Sequence, residues 1–375
     1  MSDNIPFELQ QLIINKLPVE PLIRFRSVCK AWKSLIDSSD FIPNHITYQQ
    51  HQHMLVRYKY ALNVEETYVL IADNDTDDTD TFLQHKVSVT IPQLVVNMGK
   101  HFTTVDSSHG LLCLFGYTDR NAIISIRNAV IWNPSIRKAV DVVLPHMADD
   151  DEIVYRTVLG FGVCRGTRDP KIVKIRIDVE SLIPWKVEVF TLSARVWRSA
   201  HSDNVPSKFL RFGTGEQVVV GGVVYWLARD MFDRDSDKLL VSFDLTSEEL
   251  GEVKLPDRIP PTYLSLSLFK LRQSLAVVKG SVEDSKLVYH VWVMKDGVPK
   301  LFEKLFTISG HTPDGSTVFP RGFRKTGEAL IQVKANPGFN TTLAAYEPYS
   351  KAITNLGING SYISVCPYTE TLLLL

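Results

Sequence analysis

The spacing of apolar residues changes once along the chain, near residue 50, and that change constrains the fold more than any other feature of the sequence. Before it, apolar residues recur at steps of three and four, the period of one helix face. After it, short β-branched and aromatic runs alternate with Gly, Pro, Asn and Asp, the texture of strands and tight turns. The pattern predicts a small helical unit over residues 1–48 followed by a large all-β unit over 49–375. A chain of 375 residues can bury a large core and needs neither metal nor disulfide to fold.

In the helical unit, Leu9, Leu12, Ile13 and Leu17 mark one face. Pro6 suits the first turn of a helix, where the missing N–H costs nothing. Pro18 stops that helix and Pro21 can start a second. From there Leu22, Phe25, Cys29, Trp32 and Leu35 continue at helical steps, with Arg24, Arg26, Lys30 and Lys33 between them. Ile14, Ile23, Val28 and Ile36 widen the apolar surface beyond a single stripe. A unit this small cannot bury all of these side chains by itself, so some should face another protein or the rest of the chain.

In the β unit, Lys171-Ile172-Val173-Lys174-Ile175-Arg176-Ile177 alternates cleanly, and Gly221-Gly222, Asp296-Gly297 and Thr326-Gly327 read as turns. A strand ending in an aromatic recurs at Trp132, Phe190, Phe243, Trp292 and Tyr346, spaced 58, 53, 49 and 54 residues apart. A period near 50 is the scale of one four-stranded propeller blade. With Tyr68 marking an earlier unit, the expectation is a propeller-like ring of five or six irregular blades. The strand Tyr368–Leu375 should close it by joining the first blade. The alternative is a large sandwich with no true repeat.

The chain holds 41 basic and 42 acidic residues, which argues against nucleic acid or an anionic membrane as the main partner. No run approaches the roughly 18 apolar residues of a membrane helix. The N-terminus lacks the basic start and apolar stretch of a signal peptide. Cys29, Cys113, Cys164 and Cys366 are too scattered for a zinc site or a disulfide scaffold, and they read as reduced thiols of a cytoplasmic or nuclear protein. The N-x-S/T triplets at Asn74, Asn340 and Asn359 are then expected to be unused.

Motifs that would carry chemistry are few. Gly160-Phe161-Gly162-Val163-Cys164-Arg165-Gly166 has its third glycine one residue late for a dinucleotide fingerprint, and no helical pattern comes after it, so these glycines fit a bend or close strand packing. Asp73 to Asp80 resembles a calcium loop at its first positions. It carries Asp78 and Gln84 where Gly and Glu are needed, and so reads as a solvated loop. His51 and His53 could clip a metal but sit at the unit boundary and read as linker. His109, His290 and His311 have no partner visible in sequence. Trp132, Trp185, Trp197, Trp226 and Trp292 read mostly as core. No catalytic residue, cofactor or metal site is expected.

The head carries Arg24-Phe25-Arg26-Ser27-Val28-Cys29-Lys30-Ala31-Trp32 unbroken, preceded by Ile5-Pro6-Phe7-Glu8-Leu9 and Leu12-Ile13-Ile14. Over about 40 residues it resembles a plant F-box, with Ile5-Pro6 where Leu-Pro is usual and Leu12-Ile13-Ile14 in place of Glu-Ile-Leu. The remainder resembles the F-box-associated interaction domain of plant F-box and kelch-repeat-like proteins. The matching pieces are Gly110-Leu111-Leu112-Cys113, Ile131-Trp132-Asn133-Pro134, Leu159-Gly160-Phe161-Gly162, Gly222-Val223-Val224-Tyr225-Trp226, Ser242-Phe243-Asp244-Leu245, Val291-Trp292-Val293 and Gly322-Phe323. Val163-Cys164 stands where the family often has Tyr-Asp, and only Gly221-Gly222 survives of the kelch glycine pairs.

The resemblance implies an α+β multidomain chain that serves as substrate receptor of an SCF-type ubiquitin ligase. The F-box would dock a Skp-type adaptor, and through it cullin and the RING subunit, while loops on one propeller face bind a protein target. By motif position, Pro6, Leu9, Ile13, Leu17, Pro18, Leu22, Val28, Cys29 and Trp32 carry the adaptor contact and the small core of the module, with Trp32 the expected hot spot. The alternatives are an enzyme with acids or histidines converging in a propeller channel, and a scaffold that works without ubiquitin transfer.

Overall fold

The computed structural model describes residues 5–38, 40–48, 52–59, 66–73, 86–98, 102–120, 123–145, 155–178, 185–200, 210–230, 239–256, 266–297, 300–335 and 341–374. The head is built from α1 (Phe7–Ile14), α2 (Val19–Phe25), α3 (Lys30–Ile36) and α4 (Phe41–Tyr48). Pro6 and Pro18 sit at the N-caps of α1 and α2, where a residue without N–H leaves nothing unsatisfied. The run from Leu22 to Leu35 is two helices, not one. Cys29 takes an extended conformation between them, and its Sγ accepts from Trp32 N at 3.4 Å, capping α3. Arg26 clasps Asp37 through two bonds of 2.5 and 2.9 Å, tying the end of α2 to the end of α3.

The β unit is a ring of six four-stranded antiparallel sheets, the upper of the two expected blade counts. Blade 1 contains β1 (Gln52–Lys59), β2 (Thr67–Ala72) and β3 (Lys86–Ser88), and a short helix α5 (Gln93–Asn97) leads on from it. Blade 2 is β4 (Phe102–Ser108), β5 (Leu111–Arg120), β6 (Ile123–Asn133) and β7 (Lys138–Val143). Blade 3 is β8 (Tyr155–Val163), β9 (Pro170–Asp178), β10 (Lys186–Thr191) and β11 (Val196–Ser199). Blade 4 is β12 (Leu210–Val220), β13 (Val223–Asp230), β14 (Leu239–Asp244) and β15 (Leu250–Lys254). Blade 5 is β16 (Leu266–Leu271), β17 (Ser274–Glu283), β18 (Lys286–Lys295) and β19 (Leu301–Ser309). Blade 6 is β20 (Thr317–Phe323), β21 (Ala329–Lys334), β22 (Thr341–Tyr346) and β23 (Ile353–Asn359). The last strand, β24 (Tyr362–Thr369), returns to blade 1 as its innermost strand.

Closure therefore joins the two ends of the β unit. β24 runs antiparallel to β1, from Gln52 opposite Thr369 to Lys59 opposite Tyr362. The closing strand lies six residues earlier than Tyr368–Leu375. The chain beyond Thr369 leaves the sheet because its leucines have other places to go: Leu372 enters the core of the head, and Leu373 and Leu374 pack against blades 2 and 3. Gly110 makes that exit possible. At φ 77° it adopts a conformation few side chains tolerate, and a Cβ there would lie 2.0 Å from the Thr369 carbonyl oxygen. His53 belongs to β1, opposite Ala72 and Tyr368, so the linker reading fails for it, while His51 lies outside the described residues.

The recurring aromatics Trp132, Phe190, Phe243, Trp292 and Tyr346 all fall on the third strand of their blades, as does Tyr68 in blade 1. They and their neighbours fill the seams between sheets. The glycines of Gly160-Phe161-Gly162 mark close packing: a Cβ on Gly160 would lie 2.3 Å from Trp226, and one on Gly162 2.6 Å from Leu245. Trp226 Nε1 donates to the Leu159 carbonyl across the same seam at 3.1 Å.

Strand alternation gives the ring two unlike ends. At one end lie the turns from first to second strand, such as 109–110, 221–222 and 272–273, and those from third to fourth. This is the near end, where the head sits. Many of the connections at the far end are longer, among them 144–154, 200–209, 231–238 and 255–265. Blade-to-blade ties concentrate at the near end. Ser108 Oγ accepts from Val163 N at 3.1 Å, Lys171 Nζ donates to the Leu245 carbonyl at 2.6 Å, and Arg272 donates to the Thr326 carbonyl at 2.9 Å. Asp73, expected in a solvated loop, is instead buried and accepts from Arg324 Nε at 2.9 Å and Lys325 N at 2.8 Å, joining blade 1 to blade 6. The rest of the acidic stretch lies outside the described residues.

Candidate functional site

The head has one face sealed and one face open. On the sealed side Ile14, Val19, Leu22, Ile36 and Phe41 form a core with Leu372, and Ile136 from the turn after β6 packs against it. Val19 N donates to Glu370 Oε2 at 3.2 Å. Asn133 Nδ2 donates to the carbonyls of Thr371 (2.9 Å) and Leu373 (2.6 Å), and the hydroxyls of Tyr368 and Ser135 meet at 2.6 Å. The segment 370–374 is thus a wedge between head and ring, held by both.

The open side is apolar. Leu9, Leu12 and Ile13, at i, i+3 and i+4 on α1, are 50%, 52% and 53% exposed. Val28, in the break between α2 and α3, is 61% exposed. Ile5 and Phe7 are exposed as well. Water contact on this many large side chains in a unit this small marks a surface built to be covered.

The nine motif positions divide between these two sides. Pro6, Leu9, Ile13, Pro18, Val28 and Cys29 are exposed. Leu22 is 0% exposed, so of the two roles expected of the nine positions it takes the core and not the contact: no partner can touch it without unfolding the head. Leu17 is half-buried against the same core, and its carbonyl bonds His45 Nε2 at 2.7 Å. Trp32 is half-buried, its ring 5.0 Å from Phe25 and its Nε1 donating to Gln10 Oε1 at 3.0 Å. Leu12, Ile5 and Phe7 lie outside the nine. The helical spacing to Leu9 is the available signal for Leu12; nothing comparable marks Ile5 or Phe7.

At the far end, Val282 beside the Asp284–Ser285 turn of blade 5 and Tyr362 at the start of β24 are about 60% exposed, and Leu94 and Val96 of α5 are exposed on the same end. A Ser–His–Glu group lies here too. Ser281 Oγ is 2.7 Å from His290 Nε2, and Glu283 Oε1 is 2.8 Å from that same nitrogen. A proton relay needs hydroxyl and carboxylate on opposite ring nitrogens, so this group is not arranged as a nucleophile–base–acid triad. Burial and the nearby Lys304 hold the His290 pKa down. Among the described residues no three His, Cys, Asp or Glu side chains are grouped to hold a metal ion, and no helix is long and apolar enough to cross a membrane.

Comparison with known proteins matches both units. Residues 2–44 fit the F-box domain family, and residues 60–332 fit the family described as the F-box associated beta propeller domain. An F-box/kelch-repeat protein of Arabidopsis thaliana is 24% identical over 320 residues, covering 82% of this chain and 80% of the relative. A second F-box/kelch-repeat protein of that plant is 24% identical over 388 residues, covering 98% of each. The Arabidopsis thaliana F-box protein CPR1 is 24% identical over 331 residues, covering 81% of this chain and 73% of the relative.

Proposed function

Because the chain belongs to the F-box proteins that carry an F-box-associated β-propeller domain, we propose that it is the substrate-recognition subunit of a Skp–cullin–F-box ubiquitin ligase. The observation that carries this reading is the open apolar face of Leu9, Leu12, Ile13 and Val28 on a head whose opposite face is already sealed against the ring. A Skp-type adaptor covering that face would link the chain to cullin and the RING subunit. The far end of the ring, with its longer connections and exposed Val282 and Tyr362, is the surface for a protein target.

In this role the chain forms and breaks no covalent bond. It raises the local concentration of target lysines beside the charged ubiquitin-conjugating enzyme, replacing a bimolecular encounter with one inside a single assembly. The near-end ties between blades matter for that task, since a rigid ring transmits the position of the head to the target surface. Such a receptor works in the cytoplasm or nucleus, where adaptor and proteasome are found.

A pull-down with purified Skp-type adaptor tests the reading. The parent chain should capture adaptor, and a Leu9→Asp, Ile13→Asp double variant should lose capture by about tenfold or more while keeping its melting temperature, because both side chains already face water. Capture that survives the double substitution would refute the assigned face. Proximity labelling with and without proteasome inhibition would then name targets whose abundance depends on this chain.

A further inference from the structure

Across the near end of blade 3 lies an open groove of about 720 Å³, the size of a small-molecule site. Two turns of the blade contribute to it: 164–169, between β8 and β9, and 192–195, between β10 and β11. The wedge supplies a further wall through Leu373 and Leu374. With Pro170, Leu192 and Ala194 these leucines give the groove an apolar lining. Leu192, Leu373 and Leu374 are half-buried against the core between blades 2 and 3, so the lining is anchored from beneath.

The charged side chains in the lining are Arg168, Asp169, Lys171 and Arg198, and all but Arg168 are engaged. Lys171 Nζ pairs with Glu248 at 2.8 Å and donates to the Leu245 carbonyl at 2.6 Å. Arg198 donates to that same Glu248. Asp169 accepts from Ser193 N at 3.1 Å and from the Ser193 hydroxyl. Arg168 is exposed, and among the described residues no carboxylate lies within ion-pair distance of it. Arg168, Lys171 and Arg198 against Asp169 and Glu248 leave one positive charge unmatched, beside an apolar surface.

We propose that this groove binds a small amphipathic monoanion, with its apolar body on Leu192, Leu373 and Leu374 and its single carboxylate paired with Arg168. The planar donors of a guanidinium match the two oxygens of a carboxylate. A polyanion would find one unmatched charge and would meet Asp169 beside it. A neutral ligand would gain from the leucines but leave Arg168 unused. An extended peptide needs backbone partners, and the N–H groups of Leu192, Ser193 and Arg195 are already bonded to the Pro170 carbonyl, Asp169 and the Thr191 carbonyl. The groove is separate from the open face of the head, so it stands or falls independently of the adaptor reading. Its wall is the wedge that seats the head, so a bound ligand should also stabilise that joint.

The experiment is a fluorescence titration of the full chain with dansylglycine, an apolar naphthalene carrying one carboxylate, and in parallel with uncharged dansylamide. Dansylglycine should saturate at one per chain and bind about fivefold tighter than dansylamide. Arg168→Gln should bring the two affinities together. Ala194→Trp, a change at an exposed position that fills the groove, should abolish binding of both and cancel the rise in melting temperature that dansylglycine gives the parent. Arg195→Gln, an exposed arginine on the same turn but outside the lining, should bind like the parent. The Leu9→Asp, Ile13→Asp double variant should also bind like the parent, which separates the groove from the apolar face of the head. Absence of saturable dansylglycine binding, equal affinity of the parent for both probes, or unchanged binding in Ala194→Trp would overturn the proposal. Loss of binding in the double variant would do the same.

Discussion

At the residue scale, His45 shows how the head is tuned. It is fully buried beneath α1 and α2, where its Nε2 bonds the Leu17 carbonyl and Phe41 stacks on it with ring centroids 5.8 Å apart. Burial lowers its pKa below the ordinary 6.5, partly offset by the Leu17 bond and by Glu370. The unfolded chain thus binds a proton more readily than the folded one, and stability falls as pH drops through the interval below 6.5. His109, whose pKa is depressed to about 4, acts in the same direction. Chemical denaturation should therefore show a loss between about pH 7.5 and pH 5.5. His45→Gln, which keeps a donor for Leu17 and cannot titrate, should lose less. An equal loss in both proteins would remove His45 from this role. None of this was legible in the sequence, where His45 is one residue of an apolar stretch. Nor could periodicity separate Leu22 from Leu9: both lie on helix faces, and only the position of the ring decides which face is covered.

At the element scale, the segment 370–374 joins the two units. Leu372 is 0% exposed within a core it shares with Val19, Leu22 and Ile36. Leu372→Ala should destabilise the head by about 2–5 kcal/mol through the cavity it leaves. The head should then melt before the ring, as two transitions in calorimetry where the parent shows coupled unfolding; a single unchanged transition would show that the wedge contributes nothing. The strands themselves were largely readable. The aromatics Trp132, Phe190, Phe243, Trp292 and Tyr346 mark third strands because that position fills a seam between sheets, and the seam recurs with every blade. Their uneven spacing comes from connections of unequal length, which blurred the blade count. The closing strand lies earlier than its apolar end suggests, because a run such as Leu372 to Leu374 looks the same whether it pairs in a sheet or fills a gap between domains.

At the scale of the whole molecule, the ring keeps its two ends for different work. Ties such as Arg324–Asp73 and Lys171–Leu245 hold the near end, where the head is seated, while longer connections cluster at the far end. The head offers its uncovered apolar face away from the ring, so adaptor and target need not compete for one surface. The helical head, the β ring and the family were legible in sequence because motif and periodicity repeat the same physics over many residues. The partition of the head into sealed and open faces was not, since it depends on contacts between residues such as Val19 and Leu372 that are 353 positions apart. Hydrogen–deuterium exchange of the full chain, with and without purified Skp-type adaptor, tests the central claim most directly. The account predicts new protection in α1 and around Val28, with the six blades unchanged. Protection confined to the blades, or none in the head at saturating adaptor, would contradict it.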